Sequence, residues 1–161
     1  MKQALAQANK PSTGNAETLS KLFLRDCELR GSQTAMRHKK YGIWNEFTWK
    51  YSYDKVKYFS LGLVNLGLEP GDRVCFIGDN EPELYWALLG TWCARGVGLG
   101  AWVDSIPSEV QFYVGFAEAK LVVARDQEQV DKLLSIRGEI PFVERVIWWY
   151  PKGMNTPTYK D

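Results

Sequence analysis

A chain of 161 residues and 18.4 kDa has room for one ordinary domain. Its 45% hydrophobic and 24% charged residues give the balance of a soluble globular protein, which excludes the disordered and fibrous classes. A net charge of +1 argues against nucleic-acid binding, and the longest nearly apolar run, Leu84 to Ala94, is about half of the roughly 20 residues a membrane span needs.

Residues 1–17 lack the apolar stretch of a signal peptide and read as a flexible leader. Leu19, Leu22, Phe23 and Asp26-Cys27 then fall at helical spacing, and Gly31 closes that helix. Ala35 to Lys39 and Ile43 to Trp49 alternate around Tyr41-Gly42 as a small hairpin. Val56, Phe59, Leu63 and Leu66 mark an amphipathic helix stopped by Gly67. After the Pro70-Gly71-Asp72 turn, Arg73 to Ile77 reads as a buried strand. Asn80 with Glu83 reads as the cap of the next helix, which ends at Arg95-Gly96. Val97 to Val103 is a second strand of this series, and Ser105 or Ser108 starts a helix with Val110, Val114 and Ala117 on one face. Leu121 to Ala124 is a third strand. Asp126 with Gln129 caps a helix that carries Val130, Leu133 and Leu134 and ends at Gly138. Val146 to Trp149 is the fourth strand.

This alternation with short connections implies right-handed crossovers: an α/β fold, with a mainly parallel sheet and helices on both faces. Ligands of such sheets bind at the carboxyl ends of strands. Those ends are Gly78-Asp79-Asn80, Trp102-Val103-Asp104-Ser105 and Arg125-Asp126, and they bring forward Gly78, Asp79, Asn80, Asp104 and Ser105 as candidate cleft residues. Helix capping is the competing explanation for Asn80, Asp104 and Ser105.

Other motifs carry less. Gly96-Val97-Gly98-Leu99-Gly100-Ala101 fits a dinucleotide-binding spacing but follows a helix and enters a strand, the reverse of what pyrophosphate binding requires. A helix cap at Gly96 and close backbone packing at Gly98 and Gly100 account for it. Three scattered cysteines (Cys27, Cys75, Cys93) and one histidine, His38, make neither a disulfide framework nor a metal site, and they suit a reducing, cytoplasmic compartment. Arg37-His38-Lys39-Lys40 reads as a solvated hairpin tip, with contact to a ligand phosphate or an anionic membrane as its alternative. No nucleophile with a base and no carboxylate pair can be assembled, so no catalytic residue is assigned.

The ordered segments Gly42-Ile43-Trp44-Asn45-Glu46-Phe47-Thr48-Trp49, Leu66-Gly67-Leu68, Pro70-Gly71-Asp72-Arg73-Val74, Ile77-Gly78-Asp79-Asn80, Pro82-Glu83-Leu84-Tyr85-Trp86, Asp104-Ser105-Ile106-Pro107-Ser108-Glu109-Val110 and Asp126-Gln127-Glu128-Gln129-Val130 carry a resemblance. Together they resemble the N-terminal portion of the AMP-forming acyl-CoA synthetases, in wording most like bacterial long-chain fatty-acid ligases. The resemblance implies that residues 18–150 are an α/β subdomain and that 151–161 lead into the remainder of the enzyme. It further implies a full-length ligase that joins a carboxylic acid to ATP with Mg2+ and passes the acyl group from the adenylate to coenzyme A. The family's phosphate loop and C-terminal lysine have no counterpart here, so this portion alone is expected to be inactive. Gly78, Asp79, Asn80, Asp104 and Ser105 would then edge the substrate or coenzyme A side of the cleft. The implied partners are the rest of the chain and a fatty or other carboxylic acid. A homodimer and peripheral membrane contact stay open, and nucleic acid is excluded. A freestanding binding module derived from a ligase, and a ligase for an aromatic acid, are the alternatives. A further expectation is that an outer sheet face bearing Val97, Leu99 and Trp148 lacks cover without the rest of the enzyme.

Overall fold

The computed structural model describes residues 18–154 and 159; the expected leader, 1–17, lies outside them, as does part of the expected 151–161 loop. The elements are α1 (Leu19–Arg30), β1 (Thr34–Lys40), β2 (Ile43–Thr48), α2 (Trp49–Asn65), β3 (Arg73–Ile77) and α3 (Pro82–Cys93). They continue as β4 (Val97–Ala101), α4 (Pro107–Ala117), β5 (Leu121–Ala124), α5 (Gln127–Ser135) and β6 (Arg145–Trp148). Helix starts follow side-chain caps where the sequence supplies them. Thr18 Oγ1 accepts from Lys21 N at 3.2 Å, and Thr48 Oγ1 accepts from Tyr51 N at 3.1 Å.

The four later strands form one parallel sheet in the order β4-β3-β5-β6, while β1 and β2 make a separate antiparallel hairpin. Central β3 and β5 are apolar on both faces because helices cover both. Cys75, Ile77, Val122 and Ala124 meet Val110 and Val114 of α4 and Val130 and Leu133 of α5. Val74, Phe76, Leu121 and Val123 meet Leu63 of α2 and Ala87 of α3. A third cluster, Phe23, Cys27, Val56 and Trp86, fastens α1 to α2 and α3, with Phe47 of the hairpin against it.

Several local expectations need correction. Leu99 and Trp148 do not lie on a bare face: they pack against the α4–α5 layer. Val97 is half exposed because it opens an edge strand. The residue at the cap position of α3 is Glu81, not Asn80, since Pro82 occupies the first turn. Likewise α4 starts at Pro107 rather than from a serine cap, and Glu109 Oε2 accepts from Ile106 N at 3.2 Å. The left-handed residue after α3 is Arg95 (φ 65°), not Gly96. Close packing is the reason for two of the three glycines in that motif: a Cβ on Gly96 would lie 2.9 Å from Thr91 Cγ2, and one on Gly98 would lie 2.5 Å from Leu88 Cδ1. Gly100 faces open space. Helix α5 stops at Ser135, and Gly138 falls in the following 3-10 turn.

The three thiols are free, and their burial predicts their chemistry. Desolvation pushes Cys75 up to about 12 and Cys27 to about 11. A thiol-specific reagent at neutral pH is therefore expected to leave Cys75 and Cys27 unlabelled in the native chain and to titrate all three only in denaturant, because the thiolate is the reactive form. Fast native labelling of Cys75, read by peptide mass, would contradict the packing of β3.

Candidate functional site at the strand ends

The loops at the carboxyl ends of β3 and β4 enclose a groove of about 360 Å³. Gly78, Asp79 and Asn80 line one side, Trp102 and Val103 the other, and Phe76 and Leu84 contribute apolar surface. Three of the five expected cleft residues are thus brought together. Asp104 and Ser105 lie just past the groove and do not line it. Asp104 is exposed, while Ser105 is buried, its N–H donating to Trp102 O at 3.1 Å. Trp102, at the same strand end as Asp104 and Ser105 in the sequence, stands 78% exposed at the rim.

In a sheet of this order, the β3/β5 pair is the switch point at which ligands commonly bind. Here that crevice is filled from within. Arg125, the first residue after β5, sends Nη1 to Asp126 Oδ2 at 2.6 Å and Nη2 to Glu81 Oε1 at 3.1 Å, and its Nε forms an ion pair with Asp79 Oδ2 at 3.1 Å. Trp149 Nε1 donates to Glu81 Oε2 at 2.8 Å. One guanidinium therefore ties together the loop after β3, the start of α3 and the start of α5. Asp126 also serves as the expected cap, accepting from Gln129 N at 3.3 Å. Burial pushes the Glu81 carboxyl up, but hydrogen bonds from Arg125 and Trp149 more than reverse this and hold it below the ordinary glutamate range. The open groove consequently lies at β3/β4, one strand over from the switch point.

The sequence offered Arg125-Asp126 as a strand end but did not assign Arg125 a role. A lone arginine beside a capping aspartate gives no signal that two further carboxylates, Asp79 and Glu81, converge on it from more than forty residues away. Sequence reading also gave no hint that the hairpin reaches this region. Tyr41 and Tyr150 hydroxyls lie 3.5 Å apart, and the Lys40 ammonium sits 5.3 Å from the Tyr150 ring centroid. The Tyr41 phenol is raised chiefly by that hydrogen bond, with Lys40 and Lys152 pulling it down. A second groove, about 320 Å³, runs between hairpin and α3, lined by His38, Asn80 and Tyr85 among others. Among the described residues, no group of three His, Cys, Asp or Glu side chains could hold a metal ion, and no helix is long and apolar enough to cross a membrane.

Against known proteins, residues 23–160 match the family model described as AMP-binding enzyme. The chain belongs to the AMP-binding enzyme family. It is 26% identical over 130 residues to the long-chain-fatty-acid–CoA ligase ACSBG1 of Rattus norvegicus, covering 81% of this chain and 18% of the relative. It is 25% identical over 148 residues to the ACSBG2 ligase of Xenopus laevis, covering 89% and 20%. The acetoacetyl-CoA synthetase of Streptomyces lividans shares the fold at a TM-score of 0.78 and 24% identity, covering 86% of this chain and 23% of that one. The chain thus spans about a fifth of the length of the curated relatives it matches.

Proposed function

We propose that this chain is the opening α/β subdomain, residues 18–150, of an AMP-forming long-chain fatty-acid–CoA ligase. The carrying observation is the family match over 23–160 together with a run of relatives that are long-chain ligases. In this reading the whole enzyme activates a carboxylic acid with ATP and Mg2+ and transfers the acyl group to coenzyme A. The described residues do not fit the nucleotide or its magnesium: they offer neither a carboxylate cluster for the ion nor a Ser/Thr/Gly-rich loop ending in lysine. Their task is to supply a rigid sheet and one wall of the cleft. Gly78, Asp79 and Asn80 with Trp102 form that wall, and Asp104 and Ser105 follow at its edge. The free thiols support a reducing, cytoplasmic setting.

The purified 161-residue chain, given ATP, Mg2+, coenzyme A and a long-chain fatty acid, is expected to form no acyl-CoA and to show no heat of ATP binding by calorimetry. Product formation would overturn the assignment of nucleotide chemistry to other residues. Extending the chain with the codons that follow Asp161 is expected to restore ligation. If the extended protein prefers aromatic over long-chain acids, the substrate reading fails while the ligase reading stands.

A further inference from the structure

The hairpin end is a part of the molecule that neither the groove nor the Arg125 cluster accounts for. Tyr41, Ile43 and Trp44 are 84%, 68% and 63% exposed, within four positions around a tight turn. The register pairs Lys40 with Ile43 and Lys39 with Trp44, so Ile43 and Trp44 point to opposite faces and both lie at the hairpin's end. The Lys39 ammonium sits 5.9 Å from the Trp44 ring centroid. Lys152 adds a third cation, near enough to act on the Tyr41 phenol.

These cations are only partly engaged within the chain: Lys40 lies near enough to Glu81 to help hold its carboxyl down, and Lys39 and Lys40 each sit over a ring. Among the described residues, Lys39, Lys40 and Lys152 form no ion pair with a carboxylate, whereas the nearby acids are engaged: Glu46 with Arg37 at 2.8 Å, and Asp79 and Glu81 with Arg125. Another apolar exposure, Phe112 and Phe116 on α4, has Glu109 and Glu118 close by in the sequence and no lysine or arginine on that helix.

We propose that the β1–β2 hairpin end, with Tyr41, Ile43 and Trp44 as apolar and aromatic anchors and Lys39, Lys40 and Lys152 as cations, docks on the surface of an anionic lipid bilayer. Entered end-on, the turn places Ile43 and the Trp44 ring at the headgroup–acyl boundary, where tryptophan and tyrosine are favoured, and leaves the lysines at headgroup level. The Tyr41–Tyr150 hydrogen bond and the Lys40–Tyr150 contact hold this end against the segment after β6, so little order has to be imposed on binding. Each lysine near an anionic surface strengthens partitioning roughly fivefold.

The test is sedimentation of the 161-residue chain with vesicles of phosphatidylcholine alone and of phosphatidylcholine mixed with phosphatidylglycerol. Binding is expected only to the mixed vesicles, weakening as salt rises. Lys39→Glu with Lys152→Glu is expected to cut it roughly tenfold or more. Ile43→Ser is expected to weaken it without changing the circular dichroism. Lys152→Gln alone, which leaves every hairpin side chain intact, is expected to give a smaller loss in the same direction. No binding, equal binding to neutral vesicles, or indifference to the lysine variants overturns the proposal. So does tight retention of an RNA oligonucleotide that Ile43→Ser leaves unchanged, since the surface would then serve nucleic acid.

Discussion

Arg125→Ala is expected to lower the unfolding free energy by about 2–4 kcal/mol, the largest effect of any single polar substitution in this fold. The reason is what it leaves behind. Glu81 and Asp126 side chains are only 14% and 19% exposed, and both lose their guanidinium partner, while the half-exposed Asp79 contributes little. The pH dependence supplies the sign. In the native chain Glu81 titrates below its unfolded value, so its contribution is present above about pH 4.3 and is lost as pH falls through the folded pKa. The stability gap between native chain and variant should therefore be widest near neutrality and narrow as the solution is acidified below about pH 4. Urea midpoints at a series of pH values measure this directly, and a gap independent of pH would show that the cluster contributes only packing.

Gly78→Ala is the second expected loss, about 1–3 kcal/mol, and its mechanism is steric. A Cβ there would fall on the Trp149 ring and 2.8 Å from Arg125 Cβ. Trp149 can make room only by drawing its indole N–H away from Glu81, so the substitution should change the near-ultraviolet circular dichroism as well as the urea midpoint. Gly100→Ala is the matched comparison, because its Cβ enters open space. That variant should be neutral or slightly more stable. Equal losses at the two positions would refute the steric account.

The order and type of the elements could be read from the sequence because strands buried on both faces announce themselves as short apolar runs. Arg73–Ile77 and Leu121–Ala124 were expected at the bounds observed. The Asp126 cap was equally legible, since an aspartate three residues before a glutamine at a strand end has a local physical cause. Asn80 misled for a related reason: it has a capping side chain, but proline at position 82 shifts the helix start by one residue. Gly78, Asp79 and Asn80 reached the groove because strand ends are where such sheets open. Trp102 and Arg125 also stand at strand ends, but what they do there could not be read in the same way. Their roles depend on partners such as Gly78, Glu81 and Trp149, and only the strand order β4-β3-β5-β6 makes those partners neighbours.

Among the described residues, that strand order also leaves the sheet with two unpaired borders, and they are guarded by different means. At β6 the strand opens with an arginine directly after a glutamate, and an approaching foreign strand would have to desolvate both charges. Strand β4 has no charge at all between Val97 and Ala101. Its protection is compositional: with glycine at positions 98 and 100, a stray strand would gain few cross-strand side-chain contacts there and would have to order an intrinsically floppy backbone. The glycines that imitate a nucleotide-binding signature thus also discourage the chain from adding to itself in register, the first step toward fibrous aggregation.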